Sequence, residues 1–122
     1  MKKIEERYND TERQIYEYQD DNYSIILPKN SFDITNEGVV LQHCVGLYCD
    51  AVANNTTTIV FLREKKDIKK PFITMEIRNK IIKQCFGYHD TFNANKDVKE
   101  FIENYAKEKG FVIECCIYKK VA

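Results

Sequence analysis

The chain has 122 residues, a length that suits one domain around one core. With 43% hydrophobic and 12% aromatic residues it can fill an interior, which argues against disorder. Its 19 basic and 19 acidic residues give a formal net charge of +0, which excludes coating of nucleic acid by bulk charge but leaves room for a local basic patch.

Residues 1 to 20 are charged and carry Ile4, Tyr8, Ile15 and Tyr18 at loosely helical spacing, so they read as a short helical lead-in that can be mobile. "YSIILP" (23 to 28) is a short strand, and Pro28 restricts it to an edge or an end. "KNSFDITNEG" reads as turn-rich, with Ser, Asp, Thr and Asn available as caps. A central helix is expected over residues 38 to 53, with Leu41, Cys44, Val45, Tyr48 and Val52 as its inward stripe. "TTTIVFLRE" (56 to 64) and "FITMEIR" (72 to 78) form a hairpin across the polar connection "KKDIKKP", and "IIKQCFG" (81 to 87) returns after a turn near Asn79. "NKDVKEFIENYAKEKG" is a helix burying Val98, Phe101, Ile102 and Tyr105, with Gly110 just past its end. "FVIECCIYKK" (111 to 120) is a last strand. The sum is a single α+β domain over 1 to 122. It has a mainly antiparallel sheet of about four to five strands, two main packed helices and a short N-terminal helix. No stretch approaches the roughly 20 apolar residues of a membrane helix. The N-terminus lacks a signal-peptide apolar run, and five cysteines fit reduced thiols, so a cytoplasmic location is expected.

Two places carry chemistry. On the central helix His43 points away from the apolar stripe, either into solvent or onto the rim of a cleft that Gly46 opens. On "FITMEIR", Phe72, Thr74, Glu76 and Arg78 share one face and Ile73, Met75 and Ile77 the core face. The returning strand allows two registers. A two-residue turn at Asn79 and Lys80 pairs Glu76 with Lys83. A three-residue turn groups Thr74, Glu76 and Gln84 on one face. A solvated polar face with a Glu–Lys pair is the plain alternative.

"EGVVLQHCVGLYCDAVANNTTTIVFLRE" followed by "KPFITMEIRNKIIKQCFG" resembles the PcfJ-like family. The family pattern is L-x-H-C-V-G-x-Y on a helix, a strand ending in Arg, a T-x-E strand and a Q-x-x-G segment. Here it is met by Leu41, His43, Cys44, Val45, Gly46 and Tyr48, then Arg63, Thr74 and Glu76, and Gln84 and Gly87. The resemblance covers about residues 23 to 105. One departure follows Gly87, where Tyr88, His89 and Asp90 stand and Asn93 comes later than the family's Asn. The short chain suggests a stand-alone version of a domain found in longer proteins. The resemblance implies a protein of conjugative plasmids, phages and related mobile elements, and work on nucleic acid or in conflict between elements.

On that footing His43, Arg63, Thr74, Glu76 and Gln84 form the candidate catalytic set. They suit metal-independent phosphodiester cleavage, as in a small ribonuclease. Glu76 and His43 would be base and acid, Arg63 would stabilise phosphate charge, and Thr74 and Gln84 would orient the substrate. No cofactor is expected, and RNA is the favoured substrate. The alternative is a non-catalytic module that engages nucleic acid or a host protein through Lys65, Lys66, Lys69, Lys70 and Tyr88, although charge runs are usually solvation. A zinc site from the cysteines, His43 and His89 is disfavoured, because no C-x-x-C pair exists.

Overall fold

The structure, a computed structural model of the chain, describes residues 4–42, 48–87 and 96–114. Its helices are α1 (Ile4–Arg7), α2 (Asp10–Tyr16), α3 (Ser31–Leu41), α4 (Cys49–Ala53) and α5 (Lys96–Lys109). Its strands are β1 (Tyr18–Gln19), β2 (Tyr23–Ile26), β3 (Thr58–Glu64), β4 (Ile73–Arg78), β5 (Ile81–Phe86) and β6 (Val112–Ile113). The six strands lie side by side in chain order. The first five pair antiparallel and β6 lies parallel to β5, because α5 crosses over between them. The α+β class holds, but the sheet is mixed and longer than the expected four to five strands. β1 is too short to read as a strand from sequence.

α3 is the main departure from expectation. "KNSFDITNEG" is helical rather than turn-rich, and no single helix runs from 38 to 53. Asn30 caps α3 by accepting the Asp33 amide at 3.0 Å, and the Asp33 carboxylate accepts the Lys29 amide at 2.8 Å. Two early donors of the helix region are thereby satisfied. Ile34, Glu37, Gly38 and Leu41 then form a buried stripe at helical spacing. The helix stops at Gln42, which is left-handed (φ 54°) and returns its amide to Gly38 and Val39. Leu41 and Val52, expected on one helix, are buried from two.

The lead-in is part of the core. Ile4 and Tyr8 are buried. The Tyr8 hydroxyl accepts the Ile59 amide at 3.4 Å, and the Arg7 guanidinium donates to the Val52 carbonyl at 2.8 Å and to the Thr57 carbonyl and the Thr58 hydroxyl. β2 ends at Ile26, opposite Phe61, so the start of β3 has open edge groups. Tyr8, between α1 and α2, satisfies one of them, the Ile59 amide.

α5 forms as expected, with Val98, Phe101, Ile102 and Tyr105 buried and Gly110 left-handed (φ 75°) after its end. It covers the sheet face of Ile25, Val60, Leu62, Met75, Ile77 and Cys85. There Phe101 and Tyr105 pack against Tyr18 and Tyr23 with ring centroids 5.4–5.8 Å apart. The opposite face carries Arg63, Phe61, Ile59, Thr74, Glu76 and Gln84, and α3 lies over part of it through Glu37.

Candidate functional site

β4 is buried on both faces, so the solvated polar face considered from sequence is absent: Thr74 and Glu76 are 0% and 4% exposed. A strand whose two faces are both covered must pair every polar group it carries inside the protein. Two clusters do this.

The first is built on Glu37. Arg63 donates from Nη1 to Oε2 at 2.7 Å and from Nη2 to Oε1 at 2.6 Å, a two-pronged ion pair whose side chains are 6% and 1% exposed. The Thr74 hydroxyl donates to Glu37 Oε2 at 3.3 Å. Arg63 Nε donates to the Ile68 carbonyl at 3.1 Å, and the guanidinium lies 4.8 Å from the centre of the Phe61 ring. Burial pushes the Glu37 carboxyl above its ordinary range, outweighing the bonds from Arg63 and Thr74 that pull it down.

The second is built on Glu76. The Thr57 hydroxyl donates to Oε2 at 2.7 Å and the Gln84 amide to Oε1 at 3.0 Å. Gln84 Nε2 also donates to the Tyr48 hydroxyl at 3.3 Å, and Arg78 Nε stands 3.6 Å from Oε2. This cluster reaches the surface, since Gln84 is exposed, Tyr48 half-buried and the Arg78 side chain 47% exposed. The hairpin register makes it possible. The turn is the two-residue one, with Asn79 and Lys80 both left-handed (φ 52° and 63°). A bulge then shifts the register between Ile77–Ile82 and Glu76–Gln84, and Thr74 pairs with Phe86. Neither hairpin considered from sequence is observed whole. The turn comes from one, and the grouping of Thr74, Glu76 and Gln84 on one face from the other.

The structure therefore divides the candidate set. Arg63 and Thr74 belong to Glu37. Glu76 and Gln84 belong together, two strand positions from Thr74 and so about 7 Å along β4. His43 and Tyr88 lie outside the described residues. Lys65, Lys66, Lys69 and Lys70 are exposed on the β3–β4 connection, which starts with a 3-10 turn at Lys65–Asp67; Lys66 stands 3.5 Å from Glu64. The sequence reading missed Glu37, Thr57 and Arg78. Glu37 had a signal: a carboxylate three residues after Ile34 and four before Leu41 interrupts a stripe that is otherwise apolar, as Arg63 interrupts the apolar run of β3. Of the thiols, Cys49 is half-buried near Thr35 and the Ser31 carbonyl, and Cys85 is buried. His43, Cys44, His89, Cys115 and Cys116 lie outside the described residues. Among the described ones no group of three or more His, Cys, Asp or Glu is placed to hold a metal ion.

Fold and site define an α+β domain whose sheet has one aromatic face and one that buries paired polar groups beside Ile59 and Phe61. A family model described as PcfJ-like protein matches residues 1–102, and the chain belongs to the PcfJ-like family. The match takes in the N-terminal helices, which the resemblance from residue 23 onward did not. An uncharacterised protein of Listeria innocua serovar 6a is 37% identical over 103 residues, covering 83% of this chain and 21% of that protein. The chain thus spans about a fifth of the length of this relative. No solved structure matches. Among the described residues no helix is long and apolar enough to cross a membrane.

Proposed function

We propose that the domain acts on nucleic acid in the cytoplasm, in the service of a mobile element, by cleaving RNA phosphodiesters without a metal. The observation that carries this reading is the Glu76 cluster. It comprises a carboxylate held by Thr57 and Gln84, a half-exposed guanidinium at 3.6 Å, and a tyrosine hydroxyl at the point where the chain re-enters from the segment that holds His43. Glu76 would take the proton of a 2′-hydroxyl as its oxygen attacks phosphorus, and His43 would return a proton to the departing 5′-oxygen. The products would be a 2′,3′-cyclic phosphate and a free 5′-hydroxyl. Arg63 is tied to Glu37, so the cation for the phosphate passes to Arg78. Gln84, exposed, would orient substrate, and Thr74 would act only through Glu37. Cleavage of RNA in excess chelator by wild type, His43→Ala and Glu76→Gln tests this. Losses of about 10²-fold or more are expected for each variant. A wild-type protein that cleaves no RNA or DNA would overturn it.

A second reading is a binding module without turnover, for nucleic acid or a host protein. The exposed lysines Lys65, Lys66, Lys69 and Lys70 on one connection favour it. RNA affinity that survives His43→Ala but weakens with salt, with no cleavage, would select this reading.

A further inference from the structure

We propose that Arg7 is a positioning residue for the Glu76 carboxylate, acting through Thr57. The N-terminal lead-in is then part of the site and not only of the core. The inference rests on the catalytic reading above for its use, but on separate atoms for its geometry.

Arg7 closes α1, and the buried side chains of Ile4 and Tyr8 on either side of it belong to the core. Its guanidinium spans the turn that joins α4 to β3. Nη1 donates to the Val52 carbonyl at 2.8 Å on one side and to the Thr57 carbonyl on the other, and Nη2 donates to the Thr58 hydroxyl. The guanidinium carbon lies 4.7 Å from the centre of the Tyr8 ring. Thr57 is thus held at its carbonyl by Arg7 and at its amide by the Ala51 carbonyl, 3.4 Å away. From that backbone its hydroxyl reaches Glu76 Oε2 at 2.7 Å.

Satisfying carbonyls does not account for a cation here. The Val52 carbonyl already accepts the Asn55 amide at 3.1 Å. Arg7 Nε is buried with no acceptor among the described residues, and no carboxylate among them pairs with the guanidinium. Both features cost free energy. What the group supplies is a planar fork whose donors fix three oxygens at once, which neither a lysine nor an apolar side chain does.

The place of Thr57 matters because its hydroxyl has one proton and two acceptors. Glu76 Oε2 lies 2.7 Å away and the Ile77 carbonyl 3.5 Å away. A small shift of the Thr57 backbone exchanges the two. Oε2 is then left to Arg78, whose Nε stands 3.6 Å from it, and a carboxylate drawn to that cation is turned out of its place between Thr57 and Gln84. Arg7 holds Thr57 where the proton goes to Glu76.

The test is a double-mutant cycle of Arg7→Ala and Thr57→Val in the full chain. Thr57→Val is expected to lose about tenfold in kcat and Arg7→Ala about fivefold, with KM little changed in either. Because Arg7 acts through Thr57, the double variant should lose about tenfold, as Thr57→Val alone does, and not the roughly fiftyfold product of independent losses. The product would overturn the proposal, and so would full kcat in Arg7→Ala. Arg7→Lys, which keeps the charge without the fork, takes the place of Arg7→Ala in the cycle if that variant does not fold. If wild type cleaves nothing, the catalytic reading fails separately, and the cycle is read from the NMR shift of the Glu76 carboxyl carbon. That shift should move in Arg7→Ala, and should move no further in the double variant than in Thr57→Val. Val98→Ala, which weakens the opposite face of the sheet, should leave it in place. An unmoved shift in Arg7→Ala, or an equal displacement in Val98→Ala, would overturn the proposal.

Discussion

The two faces of the sheet are both buried, and they are held in different ways. Under α5 the contacts are aromatic and aliphatic: Phe101 and Tyr105 against Tyr18 and Tyr23, over Ile25, Leu62 and Met75. On the opposite face, beside Ile59 and Phe61, they are a guanidinium, two carboxylates, threonines and an amide, each bonded to another, with α3 supplying Glu37. On the first face the quantity that matters is volume, and any side chain of similar size can stand in. On the second it is pairing, and a change of one group strands its partner. The first face makes the fold; the second makes particular groups stay in particular places.

The substitutions that sharpen this contrast differ in what rescues them. The largest losses should be alike in size and unlike in cause. Phe101→Ala is expected to cost about 3–5 kcal/mol by opening a cavity. Glu37→Ala is expected to cost about 3–5 kcal/mol by leaving the Arg63 charge buried and alone. Urea unfolding would measure both. Conservative changes should then separate the faces, with Phe101→Leu costing less than about 1.5 kcal/mol. Arg63→Lys keeps the charge but gives up the two-pronged geometry, and should cost more than that; equal costs would erase the distinction. Next in size, Asn30→Ala should remove about 1 kcal/mol by uncapping α3. The smallest stability effects should come from Lys65→Ala, Lys66→Ala, Lys69→Ala and Lys70→Ala, each within about 0.5 kcal/mol. Loss of salt-sensitive RNA affinity in these four, without loss of stability, would mark them as a contact surface.

The polar face also has a signature in acid. Because burial raises the Glu37 carboxyl above its ordinary value of 4.5, the folded chain holds that proton more tightly than the unfolded one. This group's contribution to stability is therefore fullest below the ordinary value and declines as pH rises through the raised one. Unfolding of wild type and Glu37→Gln between about pH 4 and 8 should differ by a slope of that sign. An opposite slope would mean that Arg63 outweighs burial.

Much of the fold could be read from the residues. β3, β4, β5 and α5 were plain because their apolar periods are strong and Gly110 marks a stop. α3 was hidden because Ser, Asp, Thr and Asn are weak helix formers that equally suit turns, and because its stripe contains Glu37 where an apolar residue is expected. The helix over 38 to 53 failed at Gln42, a residue whose left-handed backbone nothing in its type announces. For the site, Thr74, Glu76 and Gln84 were visible as polar groups on largely apolar strands. Their division between two carboxylates was not, because it depends on a contact from α3 and on a bulge, and both are tertiary.

The bulge beyond the turn gives the hairpin a spare residue. If Lys83 were deleted, Gln84 would follow Ile82 directly, and inward and outward side chains would still alternate, with Ile77 facing Ile82 and Glu76 facing Gln84. Deleting Cys85 instead would turn Phe86 through the sheet to the wrong side. In distant homologues a gap should therefore settle at the position of Lys83 more readily than elsewhere along β5, and a hairpin shorter by that residue would remain interchangeable with this one.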